Sequence, residues 1–370
     1  MVEVAAQIPR SEEKNSTWLD VRAAVSEALH TRFFIYFFAI IAVYGAVIGL
    51  LATSYGSHFT ISSNLLSSKP MHITLPLVLS FFVLWRELYV VFVVRPERLV
   101  HGMLDDLRRN LFNVRLLASA LPVLLLLTYF FSFFTSAKNL IPVVIPFYLD
   151  PAFADVERWL HFGKQPWEWL HPLIGTALIT SIISFTYKTW FLAKFTTCFW
   201  QAFSLKRPQL RAQFFISFVL CWIVIGTVMA TILSSAGPVY FADVYPEIPN
   251  PFEGLTTYLR DANQIYPVPD LHAVDYLWSA YQLRENKLFS GISAMPSMHV
   301  SLACIFMLLG WRVNKYLGSF FTLYLVMIMV GSVHLGWHYA LDGYVAAAMT
   351  FLIWWLVGRV FPEKTDRITS

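Results

Sequence analysis

Eight apolar runs, several of them long enough to cross a lipid bilayer, constrain this chain more than any other feature of its sequence. A helix needs about 20 mainly apolar residues to span the hydrocarbon core. Charged residues make up 14% of the chain, whereas soluble domains carry about 25%. The predicted fold is therefore an all-α, polytopic membrane bundle of about eight helices. The predicted spans are Phe33–Ser54, Ile73–Val94, Arg115–Ser136, Pro172–Lys194, Gln213–Ser235, Pro296–Arg312, Leu317–Trp337 and Ala340–Phe361.

Basic residues indicate the orientation of the bundle, because Lys and Arg collect in loops that remain in the cytoplasm. They follow the second span at Arg95–Arg109, the fourth at Lys206–Arg211 and the sixth at Arg312–Lys315. This pattern predicts that both termini are cytoplasmic. The long connections Ala137–His171 and Ala236–Met295 then face the other side.

The chain divides into three predicted parts. Two amphipathic stretches carry apolar residues along one side only, which is typical of helices that lie in the membrane interface. A connection as long as 236–295 is usually a lid or a binding surface, and Leu271–Glu285 within it predicts a short helix. The parts are 1–112, with interfacial helices at Thr17–His30 and Arg95–Phe112 around two extra spans; 113–361, a six-helix core with the lid 236–295; and 362–370, a cytoplasmic tail.

Two histidines and one aspartate meet on the same predicted side of the bilayer. His299 opens the sixth span, His338 closes the seventh and Asp342 opens the eighth. If the helix continues here, His338 and Asp342 share a face, so the carboxylate can hold the imidazole tautomer. Ionisable groups at membrane depth are costly and indicate function by default. Facing imidazoles predict a site that attacks phosphorus on one side and supplies a proton on the other.

The sequence leaves other interpretations of these histidines open. His334, His338 and Asp342 follow at four-residue steps, and two histidines at this spacing can bind zinc. Glu does not follow His334, so the HExxH pattern of zinc proteases is absent. A non-enzymatic protein that holds heme between imidazoles is another possibility, although no further pair of histidines is placed on facing spans. The cysteines, Cys198, Cys221 and Cys304, have no metal-ligand spacing, and we expect no metal and no cofactor.

Two segments resemble the second and third signature motifs of the type 2 phosphatidic acid phosphatase superfamily. They are Pro296–His299 and Leu335–Asp342. The superfamily includes lipid phosphate phosphatases and a branch of inositol phosphorylceramide and sphingomyelin synthases. The resemblance covers the last third of the chain closely and the six core spans by topology. Asp150–Trp169 resembles a bacterial branch more weakly.

The resemblance implies roles for individual residues. His338 corresponds to the nucleophile that forms a phosphohistidine, and Asp342 to the acid that orients it. His299 corresponds to the general acid for the leaving group and then to the base for the acceptor. Ser297 corresponds to a phosphate-binding position, and we add His334 as a second candidate for substrate binding.

The cationic residues of the family pattern are missing. The hydrolases carry a Lys and an Arg-Pro pair in their first motif, but Ser235–Phe241 contains no Lys or Arg. Gly331 and Ser332 replace the Ser-Arg pair that precedes the nucleophile. The Arg-Pro pairs at 95–96 and 207–208 fall on the predicted cytoplasmic side, so they do not fit the motif.

This loss favours one kind of substrate. A phosphomonoester carries about 1.5–2 negative charges and suits three cationic donors, whereas a phosphodiester carries one charge. The sequence therefore predicts headgroup transfer between lipids. We expect Tyr240 to donate to the phosphate, and Arg260, Arg284 and Lys287 either supply charge or are simply solvated.

The predicted activity is that of a phosphotransferase resembling inositol phosphorylceramide synthases, with a lipid phosphate or polyprenyl pyrophosphate phosphatase as the alternative. The expected partners are a phospholipid donor, a lipid hydroxyl acceptor and the membrane, and no basic cluster suggests nucleic acid. We expect a plasma or bacterial inner membrane, with the site on the non-cytoplasmic face. Arg86 and Glu87 should tie their span to a neighbouring span, and Lys188 and Lys194 should extend to the cytoplasmic interface.

Overall fold

The computed structural model describes residues 18–57, 59, 69–110, 113–283 and 290–362, and the chain in these ranges forms helices and no strand. Six helical segments among them are long and apolar enough to cross a membrane, so the chain is an all-α, polytopic membrane protein. The helices are α1 (Trp18–Leu29), α2 (Arg32–Ser54), α3 (Lys69–Tyr89), α4 (Leu99–Asn110), α5 (Val114–Val144), α6 (Asp150–Leu160), α7 (Pro166–Ile174), α8 (Ala177–Ala202), α9 (Pro208–Ile223), α10 (Phe241–Val244), α11 (Glu253–Ile265), α12 (Pro269–Gln282), α13 (Met298–Val313), α14 (Lys315–His334) and α15 (Ala340–Val360). Helix α3 continues into a π-helical segment, Val90–Val94, and α9 continues through Val224–Met229 to Ala230–Ile232.

Two of the eight predicted spans differ from what the structure contains. The predicted fourth span began at Pro172, but α7 ends at Ile174 and α8 starts at Ala177 after a bend of 116°. Thr176 causes the new start, because its side chain accepts a hydrogen bond from the backbone of Ile179 at 3.4 Å and so caps α8.

The predicted sixth span is α13, which has only 16 residues. This is fewer than the roughly 20 residues that a full crossing needs. The preceding non-helical segment is itself buried, since Ile292, Ala294 and Met295 are at most 3% exposed. The chain therefore enters the bundle before α13 begins, and the helix starts deep inside the protein.

Helix α13 is enclosed by other helices, and glycine permits its closest contact with α14. A Cβ atom on Gly310 would lie 2.8 Å from the carbonyl oxygen of Leu317, which is too close for any side chain. Small residues let membrane helices approach in this way, since lipid tails leave little hydrophobic drive for association. The tight α13–α14 pair fixes His299, in the first turn of α13, against the end of α14.

Within the N-terminal part, an ion pair joins α3 to α4. Arg86 of α3 donates two hydrogen bonds to Asp106 of α4, from Nε at 2.5 Å and from Nη2 at 2.6 Å. Arg86 was predicted to reach a neighbouring span, but its partner lies on the amphipathic helix α4. The predicted interfacial helices correspond to α1 and α4, whose ends at Thr17 and Leu111–Phe112 lie outside the described residues.

Two groups of short helices lie at the end of the bundle that holds His299. Helices α6 and α7 connect α5 to α8, while α10, α11 and α12 lie between α9 and α13. The helix predicted at Leu271–Glu285 is α12, and residues 284–285 lie outside the described chain. Helix α12 is tied to α8, because Ser184 donates to the carboxylate of Asp270 at 2.6 Å. That the segment 236–295 opens and closes as a lid stays a prediction.

Candidate active site

His338 lies in the non-helical segment between α14 and α15, with one ring nitrogen held and the other directed at His299. Its Nδ1 lies 2.9 Å from the carbonyl oxygen of Ala294 and 3.2 Å from Oδ2 of Asp342. Both partners are acceptors, so Nδ1 carries the proton and Nε2 keeps a lone pair. Burial lowers the pKa of His338 to about 3, which favours the neutral ring. The arrangement leaves Nε2 available as a nucleophile.

His338 can reach Ala294 and Asp342 because helix α14 ends before it. Helix α14 ends at His334, Gly336 takes a left-handed conformation with φ of 74°, and α15 starts at Ala340. The helix does not continue from His334 to Asp342, so His334, His338 and Asp342 do not share one helical face. Asp342 reaches His338 from the first turn of α15, where it also accepts from the backbone of Tyr339 at 3.1 Å. Its other oxygen, Oδ1, accepts no hydrogen bond within the described chain.

His299 faces His338 from the first turn of α13. The Nδ1 atom of His299 lies 3.3 Å from Nε2 of His338. Two aromatic side chains of α8 fix the His299 ring, with Tyr187 stacked on it at 4.8 Å and Trp190 edge-on at 4.5 Å between ring centroids. The structure thus brings together the three residues that the sequence singled out for chemistry.

Of the three predicted substrate-binding residues, only Tyr240 lines the cavity beside the histidines. Ser297 is buried, and its hydroxyl accepts from the backbone of Val300 at 3.4 Å, so it caps α13. Tyr240 lines the cavity described below, and its hydroxyl donates to the carbonyl of Val274 at 3.1 Å. His334 is fully buried beside Thr180, at 2.8 Å, and is not among the residues that line this cavity.

A cavity of about 550 Å³ opens beside the two histidines. Apolar and aromatic side chains form most of its wall, including Phe131, Phe134, Tyr187, Trp190, Phe191, Trp222, Tyr276 and Trp337. Its Lys, Arg, Asp and Glu lining residues are Lys138 from α5, Lys188 and Lys194 from α8, and Asp270 from α12. Such a cavity suits a ligand with an apolar part and an anionic group.

His299, His338 and Asp342 all lie in the part of the chain that matches a known family. A family model described as PAP2 superfamily matches residues 151–356, which is more than half of the 370-residue chain. The chain belongs to the PAP2 superfamily. No curated protein and no solved structure matches it. Members of the PAP2 superfamily are phosphatases or phosphotransferases, so this chain is a membrane enzyme of the lipid phosphatase or phosphotransferase type.

Within this PAP2 chain, Asp150 binds the segment in which the first motif was expected. Its fully buried carboxylate accepts hydrogen bonds from five donors between 2.7 and 3.1 Å. The donors are the hydroxyl of Ser235, the backbone N–H groups of Ala236 and Gly237, and the hydroxyls of Tyr245 and Tyr339. Tyr339 follows His338 directly, so Asp150 joins the first-motif segment to the nucleophile candidate.

The lysines that line the cavity were not predicted as site residues. Lys194 is 1% exposed, so its predicted extension to the interface is wrong, while Lys188 is exposed and lines the cavity. Arg260 is exposed and does not line the cavity. Arg284 and Lys287 lie outside the described residues. The cost of a charge at membrane depth was the signal that could have identified Lys138 and Lys194.

The burial of Glu157 should make the stability of the folded protein depend on pH. It is 1% exposed and caps α15 by accepting from the backbone of Leu341 at 3.1 Å. Burial, and then the nearby Asp342 carboxylate, raise the pKa of Glu157 from 4.5 to about 8. The folded protein therefore keeps a proton that the unfolded chain releases above pH 4.5. Stability falls as pH rises from there through about 8, by at most about 1.4 kcal/mol per pH unit.

The measurement is the melting temperature of detergent-purified protein across this pH window. Glu157→Gln removes the titrating group but keeps the hydrogen bond to α15, so its melting temperature should change less with pH. A wild-type curve as flat as that of the variant would contradict the assignment.

Proposed function

We propose that this PAP2 enzyme transfers the phosphoryl headgroup of a phospholipid to a lipid hydroxyl through a phosphohistidine at His338. One observation carries the proposal. His338 Nε2, with its ring oriented through Nδ1 by Ala294 and Asp342, faces His299 at 3.3 Å beside the cavity. A nucleophile that is oriented by one group and paired with an acid–base partner is the arrangement that covalent catalysis needs.

The reaction has two balanced halves. The phosphoryl group enters between the two rings, and Nε2 of His338 bonds to phosphorus while the bond from phosphorus to the donor's bridging oxygen breaks. Protonated His299 gives its proton to that oxygen, and the alcohol leaves. The acceptor hydroxyl then passes its proton to His299 as its oxygen attacks phosphorus, and the phosphorus–nitrogen bond breaks. One residue thus serves as acid and then as base.

The cavity wall supports a lipid acceptor. The aromatic side chains that line it form few hydrogen bonds with water, but they provide an apolar surface on which acyl chains can pack. This favours transfer to a lipid hydroxyl, in the manner of inositol phosphorylceramide synthases.

The lysines of the cavity favour a second candidate. The cavity contains positive charge that the first motif lacks, from Lys138, Lys188 and Lys194. Phosphate monoesters and pyrophosphates carry more negative charge than diesters and so need more positive charge to bind them. A lipid phosphate or polyprenyl pyrophosphate phosphatase, with water as acceptor, is therefore the alternative. In both cases the site faces the non-cytoplasmic side, since the basic loops lie at the other end of the spans.

The experiment that tests the proposal follows phosphorus from donor to product. Detergent-purified protein is given a mixed phospholipid pool with ceramide and diacylglycerol, and both new phospholipids and free phosphate are measured. We expect a new phospholipid without free phosphate, and its identity names the acceptor. Free phosphate as the main product would support the phosphatase instead. Product formation that is unaffected by His338→Gln would refute both.

A further inference from the structure

A phosphate group in this site needs cationic partners that the first motif does not provide. Ser235–Phe241 contains no Lys or Arg, and its N-terminal part binds the carboxylate of Asp150 instead. Anions in proteins are usually held by charge-assisted hydrogen bonds from Lys or Arg. The cations must therefore come from other elements of the fold.

Lys138 projects into the cavity from α5. Its side chain packs under the segment that precedes α13, since a Cβ atom on Gly291 would lie 3.0 Å from its Cγ. Its charge acts on the nearby His338 ring and contributes to the lowered pKa of that histidine. None of the ion pairs between described residues includes Lys138. Its charge is thus available to a ligand beside His338.

Lys194 lines the same cavity from α8. It is 1% exposed, and its ammonium lies between 4.5 and 5.4 Å from the centroids of five aromatic rings. One of these rings, Trp190, also packs against His299. No carboxylate among the described residues forms an ion pair with Lys194. A buried charge without a counter-ion is costly, and cation–π contacts offset part of that cost.

The cavity as a whole is positive. Among the described lining residues Asp270 supplies the one carboxylate, and it already accepts hydrogen bonds from Ser184 at 2.6 Å and Trp337 at 3.0 Å. Three lysines against one engaged carboxylate leave an excess of positive charge beside the two histidines. An anionic ligand would compensate it.

We propose that Lys138 and Lys194 bind the phosphate of the donor lipid, in place of the cationic residues that the first motif lacks. The inference rests on the proposed function for the identity of the ligand. It assigns the anion-binding role to α5 and α8, two helices outside the signature motifs.

Binding of orthovanadate, a phosphate analogue, to the full-length purified protein tests this assignment without requiring turnover. Calorimetric titration should show Kd values about 10- to 100-fold higher for Lys138→Met and Lys194→Met, the loss expected for a charge-assisted hydrogen bond. Lys138→Arg and Lys194→Arg should retain most of the affinity. Lys164→Met, which removes an exposed lysine over Trp169, should bind as wild type does.

The outcomes separate this inference from the proposed function. Vanadate affinities of the two Met variants equal to wild type, in proteins with unchanged melting temperatures, would overturn it, and so would a wild type that does not bind vanadate. If vanadate binding depends on the lysines but lipid turnover does not depend on His338, only the proposed function falls. If turnover needs His338 and ignores both lysines, only the lysine assignment falls.

Discussion

Replacing His338 with glutamine is expected to lower phosphoryl transfer by at least about 10³-fold, the scale of effect seen when a catalytic nucleophile is removed. Glutamine keeps a polar side chain of similar reach in a position that is 5% exposed, but its amide nitrogen has no nucleophilic lone pair. The measurement is product formation, together with trapping of a phosphoenzyme from donor labelled in the phosphoryl group. Wild-type protein should carry an acid-labile phosphohistidine, and the variant should carry none.

Two further variants make this prediction specific. Asp342→Asn should form the phosphoenzyme slowly, because an amide can present its N–H groups to Nδ1 and favour the wrong tautomer of His338. His30→Gln changes an exposed histidine at the end of α1 and should retain wild-type turnover. If the His338→Gln variant still formed a labelled phosphoenzyme, the nucleophile would be a different residue.

The sequence predicted the membrane bundle well, because the spacing of apolar runs is a local property. Each of the eight predicted spans overlaps a helix of the structure, although helix ends were less accurate. The start of α8 depends on the cap at Thr176, and the end of α14 depends on Gly336 and on Ser332, whose carbonyl accepts from the backbone of Trp337 and His338. Periodicity cannot detect such breaks within apolar sequence.

The candidate site was predictable where its residues form short motifs. His338 and Asp342 are four residues apart, and their 3.2 Å contact survives even though no continuous helix joins them. Lys194 was misassigned because its position near a helix end suggested an interface, whereas the aromatic residues around it come from α5, α8 and α9. Contacts between distant segments decide such cases, and a single sequence does not reveal them.

Asp150 is the clearest instance of a residue whose importance lies in distant contacts. It is 85 residues from Ser235 and 189 from Tyr339. Nothing near it in the sequence distinguishes it from the neighbouring acidic residue Asp155, which is exposed on the same helix. Only the folded chain shows that one of the two carboxylates satisfies five buried or partly buried donors.

Asp150→Ala is therefore expected to cost about 3–5 kcal/mol of stability, the range for breaking a buried, charged hydrogen-bond network. The change leaves the backbone N–H groups of Ala236 and Gly237 and the hydroxyl of Ser235 without the carboxylate that accepts from them. The measurement is the free energy of unfolding, or the melting temperature, of the detergent-purified protein. Activity should fall with it, since Tyr339, next to His338, then keeps only its 3.3 Å hydrogen bond to the backbone carbonyl of residue 150.

Asp155→Ala is the matched control, because it removes the same group from an exposed position of α6 and should change stability by no more than about 0.5 kcal/mol. Asp150→Asn refines the test. Oδ1 and Oδ2 of Asp150 each accept from at least two donors. In asparagine an NH2 group replaces one of these oxygens, so its N–H groups would face the N–H or O–H donors of the neighbouring residues. Asparagine should thus lose stability almost as alanine does. If Asp150→Ala melted at the temperature of Asp155→Ala, the five hydrogen bonds would not hold the first-motif segment to the nucleophile. The order of the site would then have to come from packing alone.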